Sequence, residues 1–331
     1  MTRYEGDPWI GLTAGDPAGI GPELLEAALE RHRGGGGLRL LALGPAELRP
    51  AWVPEIAVPD RAQLDAAAGP LWCSTVGPAG EALAAWEPAR VQASAGLAAL
   101  GALRRGHELA SDGTLEALVT GPTNKEAMHL AGERVEGQTE LLARWADAPR
   151  TQMMAVAGPL RVLLLTRHLP LKEAIAQITT ERVQDHLELL HDSLIQLGTS
   201  APRLALAGLN PHAGESGILG SEERDLLEPA VVAARERGIN VRGPVSPDSV
   251  FIQASRGVYD GVLALYHDQA FIPVKLLDPD GGLTVLCGLP YLRISPAHGT
   301  AFDIVGTGQA RPASLFEALD QTARWARARR L

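Results

Sequence analysis

The segment "WIGLTAGDPAGIGPELLEAALERHRGGGGLRLLALG", residues 9 to 44, decides the fold class. Two apolar runs, "WIGLTAG" and "LRLLALG", read as strands. Between them Pro22 suits a first helical turn and Glu23 favours its positive end, while Leu24, Leu25, Ala28 and Leu29 fall on one face. "GGGG" at 34 to 37 is a flexible turn. A strand, a helix and a second strand in this order form the repeating unit of a parallel sheet.

The pattern recurs along the chain. "LEALVTG" precedes "TNKEAMHLAG", "LRVLLLT" precedes "LKEAIAQIT", "PRLALAGLN" precedes "SEERDLLEPAVVAARERG", and "GVLALY" precedes the terminal "ASLFEALDQTARWARA". The Ala-rich stretch from about 81 to 110 reads as helix. In "LALYHDQAFIPVKLL", residues 263 to 277, a strand ends at Tyr266 and a turn through Gln269 and Pro273 brings Lys275 back toward His267 in a second apolar run. The expected class is α/β with a largely parallel sheet.

With 331 residues, 46% of them hydrophobic and 21% charged, the chain can bury a large core, and its length favours two domains. A net charge of −9 with no Lys/Arg block argues against a nucleic-acid partner. Cys73 and Cys287 sit in no metal or redox motif, which suggests reduced thiols and a cytoplasmic location. The first residues do not resemble a signal peptide, and no apolar stretch approaches the ~20 residues that span a bilayer, so no membrane partner is expected.

Parallel sheets place function at the carboxyl ends of their strands. "LLLT" is followed by Arg167 and His168, "LALAGL" by Asn210, Pro211 and His212, and "GVLALY" by His267 and Asp268. One histidine at a strand end more often satisfies a local hydrogen bond. Three in equivalent positions favour a shared divalent metal with open positions for substrate oxygens.

Glycine-rich stretches are less decisive. "GDPAGIGPE", residues 15 to 23, lacks the ending of a P-loop and the G-x-G-x-x-G spacing, and reads as a structural turn between strand and helix. "GTGQAR" near 306 also fails that spacing. In "GLPYLRISPAHGTAFDIVGTG", residues 288 to 308, Arg293, His298, Thr300 and Asp303 sit among glycines that allow a ligand close to the backbone.

"HGTAFDIVG" resembles the adenosine-binding loop of the isocitrate and isopropylmalate dehydrogenase superfamily. Together "GDPAGIGPE", "VTGPTNKEA", "GQTELLA", "LNPHAGE", "YHDQAFIPVKLL" and "GLPYLRISPAHGTAFD" resemble the 4-hydroxythreonine-4-phosphate dehydrogenase family of pyridoxal 5'-phosphate biosynthesis, in order over nearly the whole chain. The resemblance implies two α/β/α domains around a largely parallel sheet, with the active site in the cleft between them. The first domain is expected over 1–135 plus 295–331 on the cofactor side, and the second, carrying metal, substrate and dimer contacts, over 136–294. His168, His212 and His267 are then the metal ligands, with zinc ahead of cobalt, manganese, nickel or magnesium. Gln138, Thr139, Lys275, Thr284 and Arg293 face the phosphorylated substrate, and His298, Gly299, Thr300 and Asp303 face NAD or NADP. The active assembly is a homodimer whose sites draw on both copies.

Two positions depart from the family pattern. Gln138 stands where G-H-T-E has a histidine, and Thr284 stands where an asparagine is usual. An amide hydrogen-bonds but takes no proton charge. The implied reaction is oxidation of 4-phosphohydroxy-L-threonine to a β-keto acid that decarboxylates to 3-amino-2-oxopropyl phosphate. Threonate or erythronate 4-phosphate is the alternative substrate. Catalysis is assigned to His212 and to Lys275, the latter either as general base or as a clamp on the substrate. A non-catalytic metal-binding relative and a three-histidine zinc hydrolase are the readings from other classes.

Overall fold

The fold is that of a computed structural model, which describes residues 6–279 and 281–329. Its contacts divide the chain into two compact units, Met1–Pro149 with Leu289–Leu331, and Arg150–Gly288. The expected divisions at 135/136 and 294/295 differ from these, so that the helix at Gln138–Trp145 and the strand bearing Arg293 both belong to the first unit.

In chain order the first unit forms β1 (Trp9–Thr13), α1 (Gly21–Arg31), β2 (Arg39–Gly44), α2 (Arg61–Asp65), β3 (Leu71–Ser74), α3 (Ala93–Ser111), β4 (Ala117–Thr120), α4 (Lys125–Leu130) and α5 (Gln138–Trp145). The second unit follows with β5 (Gln152–Ala157), β6 (Leu160–Leu164), α6 (Leu171–Ala176), α7 (Thr180–Gln196), β7 (Leu204–Ala207), α8 (Glu228–Glu236), β8 (Val241–Val245), α9 (Pro247–Ser255), β9 (Gly261–Ala264), α10 (His267–Leu277) and β10 (Leu283–Cys287). A π-helical turn at Glu223–Leu227 runs directly into α8. The chain then returns to the first unit with β11 (Leu292–Pro296) and α11 (Ala313–Arg329).

Strands of the first unit lie in the order β3-β2-β1-β4-β11, each pair parallel. In the second unit the order is β10-β5-β6-β9-β7-β8, parallel from β6 onward and antiparallel where β5 meets β10 and β6. The class is therefore α/β with a largely parallel sheet. Continuous burial of β1, β4, β7 and β9 reflects cover on both faces, as parallel strands require.

Three local readings change. "AFIPVKLL" is helical, because Ala270 and Val274 bury at a helical interval of four while Pro273 is accommodated within the helix. It therefore forms no second strand, and α10, β10 and β11 stand between "GVLALY" and the terminal helix. The Ala-rich helix begins only at Ala93. β5 and β10, neither of which ends in a conspicuous polar motif, add the antiparallel pairs.

Close packing of α3 depends on its glycines. A methyl group at Gly101 would overlap the Val76 carbonyl oxygen, and one at Gly96 the Ala127 carbonyl oxygen. Gly101→Ala is expected to lower stability by about 1–3 kcal/mol in denaturant unfolding through overpacking. Gly34→Ala, where an added methyl meets no atom of the described residues within 4 Å, should stay within about 0.5 kcal/mol.

Candidate functional site

In the second unit β6, β9 and β7 are parallel neighbours, so their carboxyl ends share one edge. His168, His267 and His212 each follow within five residues of the last residue of these strands. The Thr166 hydroxyl donates to the Leu265 carbonyl at 2.8 Å and ties the ends of β6 and β9 together.

His168 and His267 come together with ring centroids 5.6 Å apart. They line a cavity of about 230 Å³ with Thr166, Arg167, Tyr266 and Asp268. Asp268 Oδ1 lies 2.7 Å from His267 Nδ1, an arrangement that fixes the ring and leaves Nε2 as its second donor atom. Phe271 stacks on the same ring at 4.5 Å. His212 lies outside this cavity lining, with Nδ1 3.9 Å from Asp248 Oδ2. Among the described residues no three His, Cys, Asp or Glu side chains stand close enough to hold a metal. One chain thus unites two of the three expected imidazoles and places the third at the same sheet edge without joining them.

Backbone conformation sets this edge apart. His168 has φ +39°, and from His212 to Ser216 five consecutive residues have positive φ, four of them not glycine. Left-handed backbone costs an L-residue roughly 1–2 kcal/mol. Such strain persists only where surrounding contacts over-determine it, and it concentrates at functional sites.

Lys275 lies eight residues beyond His267 on α10, about 12 Å along the axis at 1.5 Å per residue. It therefore does not return to His267 through a turn. It is exposed, with Ile272 59%, Leu276 78% and Leu277 49% exposed around it. Thr284 is buried in β10, paired with Ala155.

The first unit holds a different group. Arg293 on β11 is buried, and one guanidinium nitrogen, Nη2, donates to Thr120 Oγ1 at 2.7 Å and to Gln138 Oε1 at 3.1 Å. Its Nε has no hydrogen-bond partner among the described residues. Burial lowers its pKa to about 10, so the group remains a cation at neutral pH although both acceptors are neutral. Gln138 donates through Nε2 to the Gly121 carbonyl and Thr123 Oγ1, both at 2.9 Å. Its amide is thereby committed to holding Arg293. Gln138 and Thr139 also open α5, whose first amides favour an anion. Thr120 and Thr123 carry no signal in the sequence beyond their place around "VTGPTN".

His298, Gly299, Thr300 and Asp303 form a loop after β11, seated on the "GDPAGIGPE" turn. Ile20 N donates to Thr300 O at 3.0 Å, and Gly306 N donates to Glu23 Oε1 at 2.8 Å. A methyl group at Gly19 would lie 2.8 Å from Thr300 O, so that glycine permits the seating. The His298 Nε2 atom is buried without a hydrogen-bond partner among the described residues, while Gly299 is exposed.

Asp16, in the same turn, is fully buried, with Oδ1 accepting from Ala18 N at 2.9 Å and Oδ2 without a hydrogen-bond partner among the described residues. Burial outweighs the backbone hydrogen bonds and raises its pKa from 3.8 to about 6. Between these values the folded chain keeps a proton that the unfolded chain releases. The resulting stability is complete below the lower value and lost as pH rises to the upper one, by at most about 1.4 kcal/mol per pH unit. Asp16→Asn does not titrate, so urea unfolding from pH 4 to 7 should show its stability rising relative to the native chain up to about pH 6 and then levelling.

Residues 54–322 match the family described as pyridoxal phosphate biosynthetic protein PdxA. A D-threonate 4-phosphate dehydrogenase from Salmonella typhimurium is 41% identical over 92% of this chain and 95% of its own length. A 4-hydroxythreonine-4-phosphate dehydrogenase from Desulforapulum autotrophicum is 38% identical over 96% and 95%. The crystal structure of 4-hydroxythreonine-4-phosphate dehydrogenase from Klebsiella pneumoniae is 35% identical and covers 97% of this chain and 98% of its own, with a TM-score of 0.84. The buried arginine, the histidine edge and the loop seated on the "GDPAGIGPE" turn are thus features of a dehydrogenase chain that belongs to the PdxA family.

Proposed function

We propose that this chain oxidises the C3 hydroxyl of a phosphorylated four-carbon hydroxy acid with NAD or NADP, and that D-threonate 4-phosphate is its first candidate substrate. The observation that carries this reading is Arg293, a buried cation held by neutral oxygens, beside the amino end of a helix. Burying a charge is costly, and although Glu140 offsets part of that cost for Arg293, a phosphate or carboxylate would add hydrogen bonds through the guanidinium fork. 4-Phosphohydroxy-L-threonine has the same phosphate, carboxylate and C3 hydroxyl and differs at C2, where an ammonium replaces a hydroxyl. It is the second candidate, and with it the chain would serve pyridoxal phosphate biosynthesis. The threonate reading leads because a relative at 41% identity carries that name, against 38% for the relative named for the amino acid.

Imidazole donors suit zinc first among divalent metals, and His168, His267 and His212 would hold it, where it supplies Lewis-acid polarisation of the substrate alcohol. NAD or NADP, when bound against His298, Gly299, Thr300 and Asp303, supplies the hydride acceptor. Asp268 keeps the His267 ring oriented. Arg293 with Thr139 binds the anionic end of the substrate, and Gln138 holds the guanidinium in place at any pH. Lys275 takes the hydroxyl proton. The β-keto acid so formed loses its carboxylate as carbon dioxide, and the enolate left by the C1–C2 electron pair takes a proton from water at C2 to give the ketone.

The working assembly in this reading is a homodimer. Ile272, Leu276 and Leu277 expose an apolar surface around Lys275, which a second copy would cover. His212 of that copy would complete the pair formed by His168 and His267, and Lys275 would act in the neighbouring site.

Absorbance at 340 nm with D-threonate 4-phosphate, D-erythronate 4-phosphate and 4-phosphohydroxy-L-threonine, each with NAD and NADP, tests the reading. The first is expected to show the highest kcat/KM, and no reduction with any of them would overturn the proposal. Arg293→Met should lower kcat/KM by roughly 10- to 150-fold, the value of hydrogen bonds to a charged group. Mixing His267→Ala chains with Lys275→Met chains should restore activity that neither has alone, since one hybrid site then holds both native residues. Failure to restore it would place both residues in the same chain's site.

A further inference from the structure

Beneath the histidine edge lies a set of buried polar side chains to which the proposed chemistry gives no role. Gln269 is buried in the first turn of α10. Its Oε1 accepts from Leu265 N at 2.7 Å, two residues before His267, and its Nε2 donates to Gly208 O at 2.8 Å, four residues before His212. One amide therefore bridges the end of β9 to the end of β7.

Glu223 continues the same frame. It is buried at the start of the π-helical turn, and its Oε1 accepts from Leu209 N at 2.8 Å and Asn210 N at 2.7 Å. Its Oε2 accepts from Asn210 Nδ2 at 2.9 Å. Burial alone would raise the pKa of this carboxyl, but the hydrogen bonds from Asn210 and Leu209 hold it below the ordinary value, so the group is an anion at neutral pH. A methyl group at Gly214, in the middle of the left-handed turn, would lie 2.8 Å from Glu223 Oε2. The carboxylate thus grips the base of that turn and also packs against its centre.

We propose that Gln269 and Glu223 are positioning residues that together fix the turn carrying His212 relative to the strand end carrying His267. The left-handed run is closed by its own backbone bond from Ala213 N to Asn210 O at 3.1 Å, and the residues that lead into it, Leu209 and Asn210, are anchored by their N–H groups on Glu223. Gly208, gripped by Gln269, directly precedes Leu209, so the two contacts form one continuous support. π-Helical turns and outer hydrogen-bond partners of this kind recur at functional sites, where they orient the ligating groups. The inference rests on the proposed metal role of His212 and His267 only for its consequence, since the support itself is a property of the chain.

The test uses the full chain with Glu223→Gln, which removes the charge at nearly constant shape, and Gln269→Leu, which removes both hydrogen bonds. Glu223→Asp, keeping the charge but shortening its reach, serves where Glu223→Gln does not fold. Zinc affinity of the metal-stripped chain is measured by competition with a chromophoric chelator, and amide hydrogen exchange is followed over residues 208–217 without metal. Faster exchange in that segment and zinc affinity weakened about 10- to 100-fold are expected, the usual cost of losing an orienting partner. Native exchange in both Glu223→Gln and Gln269→Leu would overturn the inference, as would native zinc affinity in both. A native chain that binds no zinc would overturn the metal reading instead, and the exchange measurement would then decide the positioning role alone.

Discussion

Parallel pairing of β6 with β9 and of β9 with β7 is the constraint on which the histidine edge depends. The register aligns Leu164 with Ala264 and Leu206 with Leu263, so three chains leave the sheet at the same level and in the same direction. Antiparallel pairing would send every second exit to the opposite edge. The connecting residues are few, and this shortness limits how far His168, His267 and His212 can stray from one another. The first unit obeys the same rule, with Asp16 after β1, Thr120 ending β4 and His298 after β11.

Local preference is violated where that edge carries its polar groups. The turn from His212 to Ser216 runs against the handedness of L-residues, and Arg293 is buried with only neutral acceptors. Asp16 and Arg293 show two outcomes of burial in one unit. The carboxyl, with one oxygen unpartnered among the described residues, is pushed to about 6 and can discharge by taking a proton. The guanidinium at about 10 cannot lose its charge near neutrality and stays a cation across the physiological range. Sequences that agree at every other level tend to break such rules at functional positions and compensate nearby. Here the compensation is visible as the Gln138 amide around Arg293 and the Glu223 carboxylate under His212.

Much of the fold was legible because apolar runs and helical faces report directly on buried strands and their covers. The βαβ unit at 9–44 and the strand ends before His168, His212 and His267 follow from that pattern alone. "AFIPVKLL" misleads because a short apolar run containing proline satisfies strand and helix alike, and only the burial of Ala270 with Val274 separates them. Gln269 and Glu223 were not legible as positioning groups. A glutamine after a histidine and a glutamate in a charged run look like solvated residues, and their importance arises from contacts with backbone atoms 61 and 13 residues away in sequence. "GDPAGIGPE" was legible as a turn, but its role as the seat of the loop at Thr300 depends on a contact across most of the chain.

The helical form of 267–277 also changes what nearness in sequence means at this site. A strand with a return turn would let His267 and Lys275 address one point, whereas α10 acts as a rigid spacer of about 12 Å between them. Its first turn is fixed inward by Gln269, and its last turn presents Lys275 among Ile272, Leu276 and Leu277 to solvent. Lys275 is exposed among these apolar side chains, where a long lysine keeps its charge in water. Under the proposed function, one helix therefore serves two places: its amino end holds a ligand of its own chain's site, and its carboxyl end meets a neighbour.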